Sequence, residues 1–440
     1  MNGCFRVIAA FGLAAAPQLA VAADAPTTIT GVSAEKLFDL AEYARSQGDL
    51  TLAQTVYEAL SRNPDIEIRS EARFRLGMML AEQKRYTDAA LRFRAILDEK
   101  PDVARVRLEL ARVLALMGDE AGARKQIRQA RAGGLPPDVA LVVDQFANAL
   151  RSSKLWGGSF EIALAPDSNI NRATDAKTLD TVIAPLNLSQ DARAQSGLGL
   201  KPSGQLYVRA PIGDRVTLVP RLSGQALLYR AHQFEDVSAS AQVGVEWRAG
   251  QDRVTPSAGY TWRWYGRRPY ARTQNLGLDW LHPMGPRAQI TTDVGIGRAD
   301  YTRNDDQDGA LYNADITYDR ALTPKSGASL SFSAVRQTAR DPGYSTTSAG
   351  PTLLYWRDAG KFTAFASGSL RRLEADERLT LYRDRREERY ARVAAGAVLR
   401  QFQVAGFSPV VRVSYERNTS TVGLYDYRRL ATEIGVSRAF

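Results

Sequence analysis

The chain has 440 residues, 44% of them apolar and 24% charged, with a mean hydropathy of −0.30 and a net charge of +10. This composition excludes a disordered tail and a helical membrane bundle, while the length suits two or three domains or one large β-barrel. One cysteine and two histidines leave little material for zinc fingers, thiol redox chemistry or imidazole catalysis, so no cofactor and no metal is expected.

In chain order, residues 1–23 read as a secretory signal peptide. Arg6 supplies the positive end, Val7 to Leu19 the apolar stretch, and Val21, Ala22 and Ala23 the small-residue cleavage site. The apolar stretch is shorter than the ~20 residues a membrane-spanning helix needs. Cys4 precedes that stretch, whereas a lipoprotein signal needs its cysteine just after it. No later apolar run reaches spanning length, so any membrane insertion must be by strands.

Residues 24–152 read as a periplasmic α-helical domain of about three tetratricopeptide repeats and a capping helix. The middle repeat, from about Ser70 to Pro101, carries Leu76 and Gly77 on its first helix and Ala89, Phe93 and Ile96 on its second, with Pro101 ending it. Small residues at these offsets let two antiparallel helices approach closely, and the aromatic fills the space between them. The same offsets place Ala53, Tyr57 and Pro64 in a first repeat, and Leu110, Ala111, Gly118, Ala123 and Ile127 in a third that ends at Pro136 and Pro137. Asp138 to Leu150 then reads as an amphipathic capping helix with Asp138 as its N-cap. All these signature positions are expected to pack helix against helix. Arg73, Arg75, Arg105 and Arg112 lie on first helices, which commonly line the concave face of such solenoids; they are candidates for contact with an acidic or extended partner, or else a solvated surface.

From Trp156 the period changes to two, the mark of strands with one apolar and one polar face. Tyr312, Ala314, Ile316 and Tyr318 alternate with Asn313, Asp315, Thr317 and Asp319, and Val237 to Trp247 alternates in the same way. Charge shifts too: residues 24–155 hold 20 basic and 19 acidic side chains, residues 156–440 hold 37 and 29. About fourteen such segments predict an antiparallel transmembrane β-barrel over 156–440. Tight turns at Gly213–Asp214, Ala249–Asp252, Gly285–Pro286 and Ala359–Gly360 alternate with longer polar loops, as in outer-membrane barrels. Trp262, Trp264, Tyr265 and Tyr270, and Tyr355 with Trp356, are expected to form interfacial girdles. The chain closes on Phe440, which with Val436 and Ile434 resembles the terminal signal read by barrel-insertion machinery; Arg438 departs from the apolar residue usual there. The first outer loop, about Pro166 to Gln195, is expected to be the longest.

The inward positions include Glu161, Arg248, Arg263, Asp279, Asp293, Asp315, Asp319, Arg371, Arg412, Glu416 and Glu433. Mixed charge suits a hydrated passage, or a lumen in which ion pairs stabilise the wall. The run Arg383 to Arg389 reads as an outer loop, either meeting lipid headgroups or simply solvated. No nucleophile elbow, phosphate loop or His–Glu metal pair occurs, so an enzyme is not expected. The basic surplus comes without the motifs of a nucleic-acid fold, and no nucleic-acid partner is expected.

A tetratricopeptide domain followed directly by a barrel of about fourteen strands resembles the surface lipoprotein assembly modifier (Slam) family. The stretch Leu155 to Asn171, LWGGSFEIALAPDSNIN, is similar to that family's entry into its barrel, with Asn169 and Asn171 as an Asn-x-Asn pair opening the first loop. The resemblance implies an outer-membrane translocator that delivers lipoproteins, or related secreted proteins, to the cell surface. The barrel would be the route, and the repeats would engage the client or its periplasmic chaperone. Outer-membrane lipids and the insertion machinery are the other implied partners. Asparagines also cap turns locally, which gives Asn169 and Asn171 a purely structural alternative. A polysaccharide exporter and a passive porin remain the competing functions.

Overall fold

The structure, a computed structural model, describes residues 32–132, 155–285, 287–399, 402 and 407–439. The expected signal peptide, Pro136, Pro137, the expected capping helix and Phe440 lie outside the described residues.

Among the described residues six helices come first: α1 Ala34–Ser46, α2 Leu50–Leu60, α3 Ile66–Glu82, α4 Tyr86–Glu99, α5 Ala104–Leu116 and α6 Glu120–Ala132. Ser33 and Asp65 cap α1 and α3 by accepting from the amides of Lys36 and Glu67, which satisfies donors that a helix start leaves open. Each first helix ends on a left-handed residue at the repeat spacing: Gly48 (φ 81°), Lys84 (φ 60°) and Gly118 (φ 87°). Glycine adopts this conformation without steric cost, whereas a Cβ there costs ~1 kcal/mol or more. Lys84→Gly is therefore expected to stabilise the repeats by about 0.5–1 kcal/mol, seen as a higher midpoint in helix-monitored thermal unfolding; an unchanged or lower midpoint would contradict it.

The described chain forms two compact units, one ending at Val56 and one from Tyr57 onward. The second contains α3 to α6 together with all the wall strands. The first wall strand starts at Trp156, and α3–α6 share a compact unit with the barrel strands. Between α3 and α4, a Cβ on Gly77 would sit 2.7 Å from Phe93 Cε1, so only glycine lets the ring lie flat against α3. Arg107, almost fully buried on α5, donates to Gln126 Oε1 of α6 at 2.9 Å and to the Pro101 carbonyl at 3.0 Å.

The wall has fourteen antiparallel strands: β1 Trp156–Asp167, β2 Gly197–Val208, β3 Val216–Tyr229, β4 Asp236–Ala249, β5 Asp252–Tyr265, β6 Arg268–Met284, β7 Ala288–Tyr301, β8 Gly309–Thr323, β9 Ser326–Gln337, β10 Thr346–Ala359, β11 Phe362–Ala375, β12 Glu387–Val398, β13 Ser408–Ser420 and β14 Tyr427–Ala439. Each pairs with its chain neighbours, and β14 closes on β1 with Leu164 opposite Ile434, so no wall strand is left with an open edge. Leu222, Leu276, Ile316, Leu330, Leu353, Val393 and Leu430 are exposed on the outward face, while Asp, Arg, Ser and Gln alternate inward. An apolar band of this extent is stable only against hydrocarbon.

Two features of the connections differ from expectation. The β5–β6 connection at the loop end is only Gly266–Arg267, both at positive φ (56° and 62°), the backbone that a two-residue hairpin requires. At the turn end, β2–β3 and β12–β13 use longer connections than a tight turn. The longest connection is 168–196, between β1 and β2, as expected.

Candidate functional site: a polar lumen and its two mouths

Every inward residue named from the sequence alternates inward in its strand, and several are joined into ion-pair groups. Glu433 receives Lys201 Nζ at 2.8 Å and pairs with Arg412, which also reaches Glu161 at 3.7 Å. Glu246 is enclosed by Arg209 (2.6 Å), Arg248 (3.2 Å) and Arg253 (3.6 Å). The most enclosed group was not anticipated: Arg429 on β14 binds Asp167 on β1 at 2.6 Å and Glu416 on β13 at 2.9 Å, with Arg392 and Arg172 at 3.6 and 3.7 Å from Glu416. By contrast, Ser203, Gln205, Ser223, Gln225, Ser238 and Ser240 form a neutral, hydroxyl-rich patch within the inner face of β2–β4. The lumen therefore holds a neutral patch among ion-paired groups, since Lys201, Glu246 and Arg248 lie on the same three strands.

At the loop end, a β-bulge between Arg263 and Trp264 re-aims Tyr270. Its ring lies 4.9 Å beneath the Arg263 guanidinium and edge-on to Tyr301 at 5.6 Å, with Tyr265 at 6.1 Å. Tyr265 and Tyr270 thus belong to an inward cluster, not to the outward girdle the sequence suggested; Trp262 and Trp264 do share the outward face. The run Arg383 to Arg389 pairs largely within itself. Arg385 bonds Glu387 at 3.0 Å, Arg386 bonds Glu388 at 2.5 Å, and Arg386 stacks on Tyr425 at 3.7 Å. In the β3–β4 connection, the Arg267 guanidinium, with His232 adding a smaller contribution against burial, holds the Glu235 carboxyl below its usual range.

Asn169 and Asn171 anchor the start of the long loop. The Asn169 amide donates to the carbonyls of Ala173 (2.8 Å) and Arg428 (3.0 Å), and its oxygen accepts from the Ala173 amide. Asn171 donates to the Asp191 and Arg193 carbonyls and accepts from Gln195. These bonds fold the loop back so that Arg172 (φ 49°) reaches the inward-facing Glu416, which brings the loop's first turn into the mouth. Removing the Asn169 side chain loses three hydrogen bonds, each contributing about 0.5–1.5 kcal/mol. Asn169→Ala is expected to make 168–196 cleave at least several-fold faster under limited proteolysis while the barrel keeps its folded gel mobility; equal cleavage rates would refute the anchoring role.

At the turn end, α6 lies across the mouth. The Gly118 carbonyl, just before α6, accepts from Tyr207 Oη of β2 at 3.4 Å. Arg128 donates to Gln289 of β7 at 2.8 Å, and Gln129 Nε2 donates to the Pro324 carbonyl (2.6 Å) and to Asp358 of β10 (3.1 Å). Lys125 sits 3.5 Å over the Trp356 ring and 3.8 Å from Asp358, while Lys325 Nζ reaches the Asp98 carbonyl at 3.3 Å. Trp356 therefore receives α6 and forms no part of a girdle. Burial disfavours the Arg128 charge and Asp319 favours it, the balance lying below the ordinary arginine value. Gln129 is fully buried, yet its Oε1 has no hydrogen-bond partner among the described residues, a cost of about 1–3 kcal/mol.

A family model for the surface lipoprotein assembly modifier matches residues 156–440, the whole wall from Trp156 onward. The chain belongs to that family. Tetratricopeptide models match 38–104 and 80–140 ahead of it. The chain is similar to surface lipoprotein assembly modifier 1 of Haemophilus influenzae, 22% identical over 82% of this chain and 76% of that protein. It is also similar to the protein of the same name from Neisseria meningitidis serogroup B, 23% identical over 52% of this chain but 45% of that protein. A solved barrel, the outer membrane channel DcaP of Acinetobacter baumannii, covers 65% of this chain and 96% of its own at 9% identity and a TM-score of 0.41.

As a member of this family the chain is an outer-membrane β-barrel protein with its tetratricopeptide helices in the periplasm, so the turn end and α6 are periplasmic and the loop end faces outward. The family and the barrel fold are non-enzymatic kinds of protein. Ala53, Tyr57, Leu76, Ala89, Phe93, Ala111 and Ala123 are buried, and Pro64 and Pro101 lie in the α2–α3 and α4–α5 connections. The four arginines are engaged within the helices: Arg73 with Glu99, Arg75 with Glu71, Arg112 with Glu109, and Arg105 over the Phe74 ring at 4.8 Å. Burial raises the Glu99 pKa, but Arg73 and Arg69 outweigh it and hold the carboxyl below its usual range. Sequence reasoning missed Lys125, Arg128 and Gln129, although their i, i+3, i+4 spacing places them on one face of α6. It also missed Asp167 and Arg429, which were legible as inward charges on their strands.

Proposed function

We propose that this Slam-family protein moves lipoproteins, or related secreted proteins, through or along its barrel to the cell surface. The observation that carries this reading is the family match over the whole barrel, in a chain whose lumen is polar on every strand and whose periplasmic mouth faces the repeat helices. Both curated relatives above are named as surface lipoprotein assembly modifiers. A client is thus the primary partner. Outer-membrane lipids, the barrel-insertion machinery that would read the terminal segment ending in Phe440, and periplasmic chaperones complete the set. Residues 1–23 would direct export, residues 24–152 would engage the client, and residues 156–440 would form the route. A neutral, hydroxyl-rich patch on the inner face suits passage because it offers a polypeptide hydrogen bonds between the ion-paired groups.

The test compares surface-labelled proteomes of cells with and without the gene, with whole-cell abundance as control. One or a few proteins are expected to vanish from the surface while persisting inside. Loss of surface polysaccharide with proteins unchanged would replace the reading with an exporter, and no change in either would leave a solute channel.

A further inference from the structure

We propose that α6 is a displaceable stopper across the periplasmic mouth, and that the mouth surface it covers is a docking surface for a basic, carboxamide-bearing segment of the client. The proposal deepens the translocator reading and rests on it. Its first support is how α6 divides its faces. Ala123, Ile127 and Ala130 are buried on the apolar side, whereas Lys125, Arg128 and Gln129 make the contacts to the barrel. The directed contacts with the wall are therefore polar, held by groups that water can satisfy once the helix leaves, although Ile127 also borders the rim.

Its second support is that the fit is incomplete. Gln129 Oε1 is enclosed without a partner among the described residues, and a cavity of about 80 Å³ lies between α6 and the rim, lined by Arg124, Ile127 and Arg128 of the helix and by Glu246, Leu281 and Gln289 of the barrel among others. Release rehydrates the orphaned oxygen, so the docked state is less stable than its number of contacts suggests. The third support is the receiving surface. The face of Trp356, the Asp358 carboxylate, Asp319 beside Arg128 and the Pro324 carbonyl offer a π-face, anions and an acceptor. That set accepts ammonium, guanidinium and amide N–H groups in general, so a client segment carrying them competes with α6 for the same places.

The test uses the full chain in planar lipid bilayers. Lys125→Glu with Gln129→Ala is expected to raise mean ion conductance at least tenfold over the unaltered chain, with folded gel mobility confirming an intact barrel. A synthetic peptide of the α6 sequence EAGARKQIRQARA, added on the periplasmic side, is expected to restore the low conductance; a peptide with glutamate at the Lys125 and Arg128 positions is not. Unchanged conductance overturns the stopper, and a rise that neither peptide reverses, or that both reverse equally, overturns the docking surface.

In cells, Arg128→Cys with Gln289→Cys in a Cys4→Ser background is bridged by a short bis-maleimide. Client display on the surface is expected to fall at least tenfold relative to the unbridged variant, and normal display with α6 tethered overturns the proposal. If deleting the gene leaves every surface protein unchanged, the translocator reading fails separately, while the bilayer result still decides whether α6 closes the barrel.

Discussion

Arg429→Ala is expected to destabilise the barrel by about 3–5 kcal/mol, because it leaves two enclosed carboxylates without their shared cation. The Asp167 side chain has no solvent exposure, and those of Arg429 and Glu416 have 9% and 5%. The guanidinium meets Asp167 through Nε at 2.9 Å and Nη2 at 2.6 Å, and turns Nη1 to Glu416. Tyr229 Oη, 3.5 Å from Asp167, cannot replace a cation, and Arg172 and Arg392 stand at the edge of hydrogen-bond range of Glu416. The group also bridges β1, β13 and β14, so the loss falls on the strands that close the barrel. Urea unfolding in detergent micelles, followed by folded gel mobility, measures it. The combination of Arg429→Met, Asp167→Asn and Glu416→Gln is expected to recover much of the loss, since removing every charge removes the unpaired ones. A single-variant effect below about 1 kcal/mol would show that lumen water already solvates the group.

The second large effect is expected at Phe93. Its ring is fully enclosed between α3 and α4, lies against Gly77 and is 5.9 Å from the Phe74 ring at a tilt of 52°. Truncation to alanine removes the apolar contacts and leaves a cavity the size of the ring, a loss of about 3–5 kcal/mol. For a helical region this small the midpoint should fall by about 12 °C or more. Circular dichroism of the full chain in detergent reads it as a low-temperature loss of helical signal while the strand signal persists. Phe93→Leu should fall much less. If Phe93→Ala melts with the unaltered chain, the repeats derive their order from somewhere other than this helix pair. Melting of helix and strand together would show that the packing of α3–α6 and the barrel is cooperative.

How much of this was legible beforehand depends on the range over which each feature is encoded. The inward alternation of Asp315 and Asp319, or of Arg412 and Glu416, follows from a period of two and holds in the structure without exception. The left-handed ends at Gly48 and Gly118 and the burial of Ala89 and Phe93 likewise follow from local spacing. Tyr270 could not be placed in this way. A single bulged residue reverses which face a side chain takes, and nothing adjacent in the sequence marks it. Trp356 looked like an interfacial aromatic because it stands beside Tyr355 near a strand end; alternation from the outward Leu353 and Tyr355 turns it inward, and its partner Lys125 is more than two hundred residues earlier.

The sequence by itself therefore determined the elements: repeat helices first, then fourteen amphipathic strands whose faces sort apolar from polar. Those are one-dimensional periodicities, set by how successive Cβ atoms project from a helix or a strand. Only the tertiary structure decided which inward charges meet, how Asn169 and Asn171 fold the first loop into the outer mouth, and that α6 crosses the inner one. Each of these depends on groups far apart in the chain being held a few ångströms from one another. Closure of the barrel creates that proximity: β14 returns Arg429 to Asp167, and the turns at Pro324 and Gly360 bring a carbonyl and Asp358 to Gln129.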